Sequence, residues 1–306
     1  MSTLHRTLED YLRLRRTLGF KLEREGDLLP QFLSLLEGHE SPYITASLAV
    51  QWAFASPSGS VKRARSRLRM VRGFAKYLAA LDARHEVPSP ELLPATQSPR
   101  PTPYIYTDAE ICALIEATQT LHGLKAATYA TLLGLLAATG MRVGEAIALN
   151  RDDLDAQRTI LTVQQGKFGK ARELALHRTS VEALHDYASV RDRALTHQHS
   201  PAFLLSLAGT RLEYKNVHHC FLRLLCAAGL NRRNPRPRLH DLRHTFAVAT
   251  LVRWYREGVN VDARLPALST YLGHVVPSST YWYLTATPAL LELARQRAQR
   301  RLESQP

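Results

Sequence analysis

Several short motifs in the second half of the chain carry side chains that can bind an anion and move a proton. The first is Arg142, which follows the glycine at the end of an apolar, helix-like run. A guanidinium held there can form bidentate hydrogen bonds with a phosphate, which an ammonium cannot. The alternative partner for Arg142 is the carboxylate of Glu145, three residues further on. The sequence alone leaves both partners open.

A second motif places a histidine and an arginine three residues apart, at His240 and Arg243. On a helix, that spacing puts both side chains on one face. Two cationic groups on one face repel each other unless an anion lies between them. Histidine is also the side chain best suited to proton transfer near neutral pH. The pattern therefore favours an anion-binding site over a helix end that carries solvated cations.

The remaining candidates are weaker when each is taken singly. Lys167, with Arg172, lies at a glycine-containing turn between two β-like runs. A lysine at such a turn is either solvated or able to reach a site and deliver a proton. His274 follows a glycine and Tyr283 lies in an aromatic cluster. Such residues are most often a helix cap and part of a core, so these candidates gain weight only together.

The charge of the chain indicates the kind of partner. Forty Lys and Arg against 27 Asp and Glu leave a net charge of +13 over 306 residues. Such an excess suits a polyanion, most simply nucleic acid. The simpler alternative is a generally basic protein from a GC-rich genome.

Cysteine usage and hydropathy bear on the compartment. Cys112, Cys220 and Cys226 are too few and too scattered for a disulfide framework, and they fit a reducing cytosol. A zinc site near Cys220 lacks the paired spacing that such sites need. The chain shows no signal segment and no apolar run long enough to span a membrane. These features predict a cytoplasmic, nucleoid-associated protein with no metal.

Prolines divide the chain. Six of the 16 prolines fall between Pro88 and Pro103, which predicts a linker over 88–103. Residues 1–87 show helical periodicity, and residues 104–306 mix helices with a hairpin near 160–176. Thr107 and Glu110 form a capping box that opens a helix. The predicted fold is mainly α with a small β-sheet, in two domains.

One helix of the first domain, expected at about 61–81, carries many cations and no acidic residue. Unrelieved cations repel one another unless they face anions, so the pattern favours a helix that follows DNA phosphates over a solvated basic face. The candidate DNA-binding residues are Lys62, Arg63, Arg65, Arg67, Arg69 and Arg72.

In their order along the chain, these motifs resemble the tyrosine recombinases, also called the phage integrase family. The order is an arginine, a hairpin lysine, His-x-x-Arg, Leu-Gly-His, and a tyrosine nine residues beyond that last histidine. The resemblance covers about 104–290 strongly and the N-terminal helices, as that family's core-binding domain, more weakly. It implies a C-shaped clamp around DNA. The catalytic residues that it implies are Arg142, Lys167, His240, Arg243, His274 and Tyr283, with Glu145 and Asp241 as acidic residues that order the site.

The resemblance also implies the reaction. A site-specific recombinase cleaves and rejoins DNA through a 3′-phosphotyrosyl intermediate and exchanges strands through a Holliday junction, here for a transposon, plasmid or integrative element. It needs no cofactor and no metal. The partners implied are double-stranded DNA with a specific site, a homo-tetramer on that DNA, and accessory recombinases of the same element, with no membrane. The C-terminal helix, from about Pro288, packs either on a neighbouring protomer or on its own chain.

Two other functions stay open on the sequence. One is a type IB topoisomerase-like enzyme that relaxes DNA, and the other is a non-catalytic, architectural DNA-binding protein. Two features depart from the simplest family pattern. The 34-residue interval from His240 to His274 is long, which predicts a longer loop over 254–264. Tyr281, two residues before Tyr283, competes as the nucleophile.

Overall fold

The chain folds into two compact units, Met1–Pro101 and Thr102–Pro306. The structure is a computed structural model. It describes residues 3–55, 59–94, 102–164, 171–195, 200–274, 276, 278–285 and 288–303. The division between units falls inside the proline-rich segment 88–103. Leu93, within that segment, is buried in the core of the first unit. Residues 95–101 lie outside the described residues.

Helices whose apolar side chains recur every three or four positions build the first unit, as the periodicity predicts. Phe32, Trp52 and Phe74 are each almost fully buried in its core. The rings of Phe32 and Trp52 lie 5.4 Å apart. The helices of this unit are α1 (Thr3–Thr17), α2 (Glu23–Gly38), α3 (Ala46–Phe54) and α4 (Val61–Ala79).

The second unit mixes helices with a small sheet, so the predicted fold class is confirmed. Its central helix, Gly123–Thr139, is buried on most sides, as its long uncharged run predicts. Its elements are α5 (Asp108–Glu116), α6 (Gly123–Thr139), α7 (Val143–Ala148), β1 (Leu154–Asp155), β2 (Ile160–Val163), β3 (Arg172–Ala175), α8 (Arg178–Ala194), α9 (Tyr214–Ala227), α10 (Leu239–Arg256), α11 (Val261–Leu272), α12 (Ser278–Tyr281) and α13 (Pro288–Glu303).

The predicted hairpin is present as β2 and β3, which pair antiparallel with Leu161 opposite Leu174. Within the described ranges, β1 adds a third strand in the order β1-β2-β3. The sequence did not reveal β1, because two residues give no alternating pattern. Lys167 and its neighbour Lys170 lie outside the described residues.

The prediction of a longer loop over 254–264 is wrong. Helix α10 continues to Arg256, and α11 begins at Val261 with Asn260 as its cap. The Asn260 side chain accepts a hydrogen bond from the backbone N–H of Ala263, which fixes that helix start. The extra residues therefore extend two helices around a four-residue connection, 257–260.

The C-terminal helix α13 packs on α10 of its own chain. Leu290 is 1% exposed in an apolar cluster with Leu251 and Leu265. Arg297 donates from Nη1 to the carbonyl oxygen of Val259 at 2.7 Å. Within the chain, α13 therefore packs on α10, and packing on a neighbouring protomer stays a prediction. Over the part of the chain that is described, no helix combines the length and apolarity needed to cross a membrane.

Candidate active site

Arg142 stands at the start of α7, where a glycine ends the helix before it. Gly140 has φ +61°, and a Cβ there would lie 2.5 Å from Cδ1 of Phe246 on α10, so the close approach requires glycine. Arg142 donates from Nη1 to Oε1 of Glu145 at 2.7 Å, and its backbone N–H donates to Oε2 at 2.9 Å. The arginine side chain is still 30% exposed. The ion pair with Glu145 is therefore real, and it leaves part of the guanidinium open to an incoming anion.

Arg243 is fixed from two directions inside the second unit. Its Nη1 donates to the carbonyl oxygen of Gly140 at 2.9 Å, and its Nη2 donates to that of Leu272 at 2.6 Å. Only 2% of Arg243 is exposed. Burial first, and the charge of Arg142 second, lower the pKa of Arg243 to about 10. The guanidinium thus stays cationic at neutral pH, and a bound anion would relieve its repulsion from Arg142.

The two arginines meet at one place, the C-terminal end of α11. Arg142 donates from Nη2 to the carbonyl oxygen of Gly273 at 3.0 Å, next along the chain from the Leu272 carbonyl that binds Arg243. Those two arginines are 101 positions apart in sequence. Adjacent acceptors bring their guanidiniums together, as a phosphate clamp requires.

Glu145 is the buried carboxylate of this cluster, with 5% of its side chain exposed. It accepts from Arg142 and, through both oxygens, from Arg172 at 3.1 and 2.7 Å. Burial by itself would raise the pKa of Glu145, but the hydrogen bonds from Arg172 and Arg142 outweigh it and hold the pKa below its usual value. Among the described side chains, the guanidiniums of Arg142 and Arg172 thus share one carboxylate, and the cluster carries an excess of positive charge.

His240 lies in the first turn of α10 with its side chain exposed. Desolvation by surrounding protein atoms, followed by the charge of Arg243, lowers its pKa to about 4. Because the ring also meets solvent, the desolvation penalty is weaker than in a closed cavity. The neighbouring arginines push in the same direction. The imidazole is therefore neutral at pH 7 and can accept a proton.

Asp241 is fully buried and closes the start of the same helix. It accepts from the backbone N–H of Arg238 at 2.8 Å, and it binds that arginine's guanidinium through both oxygens. These contacts form a capping box at the N-terminus of α10. Asp241 thereby fixes the turn that carries His240 and Arg243.

His274 and Tyr283 face each other across a short turn. Their rings are nearly parallel, at 18°, with centroids 6.1 Å apart. Nδ1 of His274 lies 2.7 Å from Oγ1 of Thr280 in α12. Tyr283 is 2% exposed, and its phenol lies close enough to Arg243 to bear on that guanidinium's pKa. This places Tyr283 beside the arginine pair.

Tyr281 points elsewhere. Its side chain is 52% exposed, against 2% for Tyr283, so the two phenols face opposite environments. The geometry agrees with the expectation that residues two apart on a helical turn diverge by about 200°.

Two residues at the site received no role from the sequence. The sequence identified Arg172 only as one cation near the hairpin turn. In the structure only 10% of its side chain is exposed, and it binds Glu145. His244 lies one turn beyond His240 on α10, and its Nδ1 is 3.1 Å from Oη of Tyr283. The i, i+4 spacing of the two histidines was the available signal, since it places both on one helix face.

The cations predicted to bind DNA on α4 occupy different surroundings. Arg67 is 8% exposed, with its guanidinium 3.8 Å above the ring of Trp52. Arg65 donates to the carbonyl oxygens of Leu93 and Pro94. Arg72 is half-buried, whereas the exposed members are Lys62, Arg63 and Arg69.

Among the described side chains of the site, metal ligands do not gather. Within the described ranges, no three His, Cys, Asp or Glu side chains lie close enough together to hold a metal ion. The cysteines are free, with Cys220 buried and the other two exposed.

Comparison with known proteins places the chain in one family. Residues 105–289 match the Phage integrase family. A protein of Sinorhizobium fredii (strain NBRC 101917 / NGR234) named as an integrase/recombinase, y4rB, is 39% identical over 312 residues, covering 99% of each chain.

Solved structures show the same fold at lower identity. The Tn1549 transposon integrase in complex with transposon right end DNA is 16% identical, with a TM-score of 0.65 over 98% of this chain and 99% of that one. A lambda integrase tetramer bound to a Holliday junction is 17% identical, with a TM-score of 0.60 over 92% of this chain and 77% of that one.

The fold and the site thus define an enzyme that cleaves and rejoins DNA. The chain belongs to the phage integrase family, and it is a site-specific tyrosine recombinase.

Proposed function

We propose that this recombinase forms its covalent DNA intermediate through Tyr283, with the scissile phosphate held by Arg142 and Arg243. One observation carries the assignment: the two guanidiniums bind neighbouring carbonyls at the end of α11, beside the buried phenol of Tyr283. Fixed cations at that point would stabilise the added negative charge of a pentacovalent phosphorus. His274 would donate a further hydrogen bond to the phosphate.

Each bond of the reaction has a group assigned to it. Oη of Tyr283 attacks phosphorus, and the bond from phosphorus to the 5′-oxygen breaks. The phenol proton passes to neutral His240, and Lys167 supplies the proton for the departing 5′-oxygen. The ester energy stays in the phosphotyrosyl bond, so a 5′-hydroxyl of the partner strand can reverse the attack and rejoin the DNA.

The proposal extends to assembly. Four protomers on two DNA sites would exchange strands in pairs through a Holliday junction, and the fold shared with a tetramer bound to such a junction supports this. The fold shared with a transposon integrase supports a role in a mobile element. Accessory recombinases of the same element stay a prediction.

Covalent capture tests the assignment and also finds the DNA site. The full-length protein is incubated with nicked duplexes that carry randomised sequence, where loss of a short fragment traps the intermediate. Adducts that survive detergent are sequenced, and the linked peptide is mapped by mass spectrometry. We expect one enriched site and a phosphotyrosine at Tyr283. The proposal fails if retarded complexes form with no adduct, or if supercoiled plasmid lacking the enriched site is relaxed efficiently.

A further inference from the structure

We propose that Arg172 is a positioning residue that holds the phosphate-binding arginines and His274 in place. The inference rests on the proposed function, because it concerns the same phosphate site. Arg172 is the first residue of β3, and it reaches across to both Glu145 and α11. Its side chain is 10% exposed, which leaves little of the guanidinium for a ligand.

The C-terminal end of α11 shows what Arg172 does. A helix leaves its last carbonyl groups without partners inside the helix. Here three consecutive carbonyl oxygens, those of Tyr271, Leu272 and Gly273, each accept from a different arginine. The donors are Nε of Arg172 at 2.8 Å, Nη2 of Arg243 at 2.6 Å and Nη2 of Arg142 at 3.0 Å.

The two preceding carbonyls are already occupied by backbone. The N–H of Gly273 donates to Thr270, and the N–H of His274 donates to Ser269. The arginines therefore complete the helix end, and the negative end of the helix dipole attracts their charge. Arg243 and Arg142 are the two that would bind the proposed phosphate, whereas Arg172 binds the first of the three carbonyls, that of Tyr271.

A second set of contacts links Arg172 to Arg142. Nη1 and Nη2 of Arg172 bind the two oxygens of Glu145, and that carboxylate also binds Arg142 through Oε1. Glu145 thus accepts hydrogen bonds from Arg172, which fixes its position, and from Arg142, which it orients. A planar fork with a third donor at Nε can bind Glu145 and the Tyr271 carbonyl at once, which the ammonium of lysine cannot.

Gly273 accommodates this arrangement. It has φ +68°, and a Cβ there would lie 2.9 Å from Nη1 and 3.0 Å from Cζ of Arg172. The guanidinium therefore rests directly on the backbone that leads into His274. A shift of Arg172 would move that backbone as well as Glu145, so both the Arg142 and the His274 positions depend on it.

The test compares Arg172→Lys with the wild-type chain and with Arg178→Lys. Arg178 is a matched control in the same unit, since it pairs with Glu182 while 86% of its side chain is exposed. The substrate is the nicked duplex recovered by covalent capture. For Arg172→Lys we expect adduct formation at saturating protein to slow by about 100-fold, because small misplacements of reacting groups cost that much. DNA affinity should stay near wild type, whereas the melting temperature should fall because Glu145 and the Tyr271 carbonyl lose a buried donor. Arg178→Lys should match wild type throughout.

A sulfur-substituted substrate separates two routes by which Arg172 could act. A 5′-bridging phosphorothiolate leaves without needing a proton, so it restores cleavage where only the leaving-group acid is displaced. Since we place the effect on the phosphate clamp, the sulfur substrate should not restore the Arg172→Lys rate. Restoration would show that Arg172 acts through the hairpin that carries Lys167, and would overturn the proposal.

A double-mutant cycle tests the route through Glu145. If Arg172 orients Arg142 through that carboxylate, Arg172→Lys should slow cleavage by a smaller factor in the Glu145→Gln background than in the wild-type chain. Any slowing that remains there reports its contacts at the end of α11. Additive losses contradict the proposal. If Arg172→Lys does not fold, Arg172→Gln replaces it, and if neither folds the residue is required by the fold and the proposal fails. Absence of any wild-type adduct at Tyr283 would instead remove the proposed function.

Discussion

Nδ1 of His244 lies 3.1 Å from Oη of Tyr283. The contact ties α10 to the 3-10 turn Trp282–Thr285 and holds a phenol that is 2% exposed. His244 also meets His240 edge to face, with ring centroids 4.7 Å apart. His244 thus contacts both the proposed nucleophile and the proposed base. Because Oη is buried, a phosphate can reach it only if neighbouring atoms move.

The burial of Tyr283 against the exposure of Tyr281 predicts which tyrosine attacks DNA. Tyr283→Phe should abolish the covalent adduct on the nicked duplex while DNA binding persists, since only the hydroxyl is lost. Tyr281→Phe should keep most of the adduct, because its phenol points into solvent. Gel electrophoresis under denaturing conditions measures the adduct. A phosphotyrosyl peptide mapped to Tyr281 would reverse the assignment.

The arginine pair should act on the transition state more than on DNA binding. Arg142→Lys should slow cleavage by about 1,000-fold, because a lysine cannot supply the two-toothed contact. Arg243→Lys should do the same and also lower the melting temperature, since the carbonyls of Gly140 and Leu272 lose a buried donor. Single-turnover cleavage and gel-shift affinity are measured on one substrate. Losses of equal size in both would identify the arginines as binding residues.

Local signals in the sequence account for much of the fold. The capping box of Thr107 and Glu110 is present at the start of α5, where the sequence placed it. Helical periodicity located α4, because one buried face repeats every three or four residues, and a long uncharged run located α6. The short strand β1 and the start of α11 escaped, because too few residues carry their pattern.

The candidate site was predictable in its residue types and much less so in its contacts. The order of motifs singled out Arg142 and Arg243 from the sequence. Their shared acceptors at the end of α11 could not be foreseen, since the contact from Arg142 to Gly273 spans 131 positions and ends on a backbone carbonyl. Every residue has a backbone carbonyl, so residue types do not show which carbonyl accepts a hydrogen bond from an arginine. For the same reason Arg172 read as one more hairpin cation, although it binds the carbonyl of Tyr271.

The lowered pKa of His240 predicts how stability and charge respond to pH. Its value is about 4 in the folded chain, against about 6.5 for an unperturbed histidine. Between these values the unfolded chain binds the proton and the folded chain does not, so stability falls as pH drops through that window. His240→Gln should make the melting temperature less dependent on pH between 6.5 and 4. An unchanged pH dependence would contradict the lowered value.

Anion binding should reverse the shift of His240. A phosphate held by Arg142 and Arg243 offsets the positive charge that disfavours the protonated ring. The pKa of His240, followed by imidazole NMR in the Tyr283→Phe variant, should therefore rise when the nicked duplex binds. Arg178→Ala serves as the control and should leave the titration unchanged in both states. A pKa that stays near its DNA-free value would place the phosphate away from this ring.

The surroundings of the α4 cations predict which of them follow DNA phosphates. Arg69 is exposed, so Arg69→Ala should weaken binding to any duplex alike and lower the slope of log affinity against log salt by about 0.9. Arg67 is buried over Trp52, so Arg67→Ala should instead lower the melting temperature through lost cation–π packing, with the slope unchanged. Arg13, exposed and paired with Asp10 in α1, gives the control Arg13→Ala, for which neither quantity should change. The slopes come from fluorescence anisotropy at several salt concentrations. A slope that is unaltered in Arg69→Ala, and again when Arg63→Ala is added, would mean that this face of α4 is simply solvated.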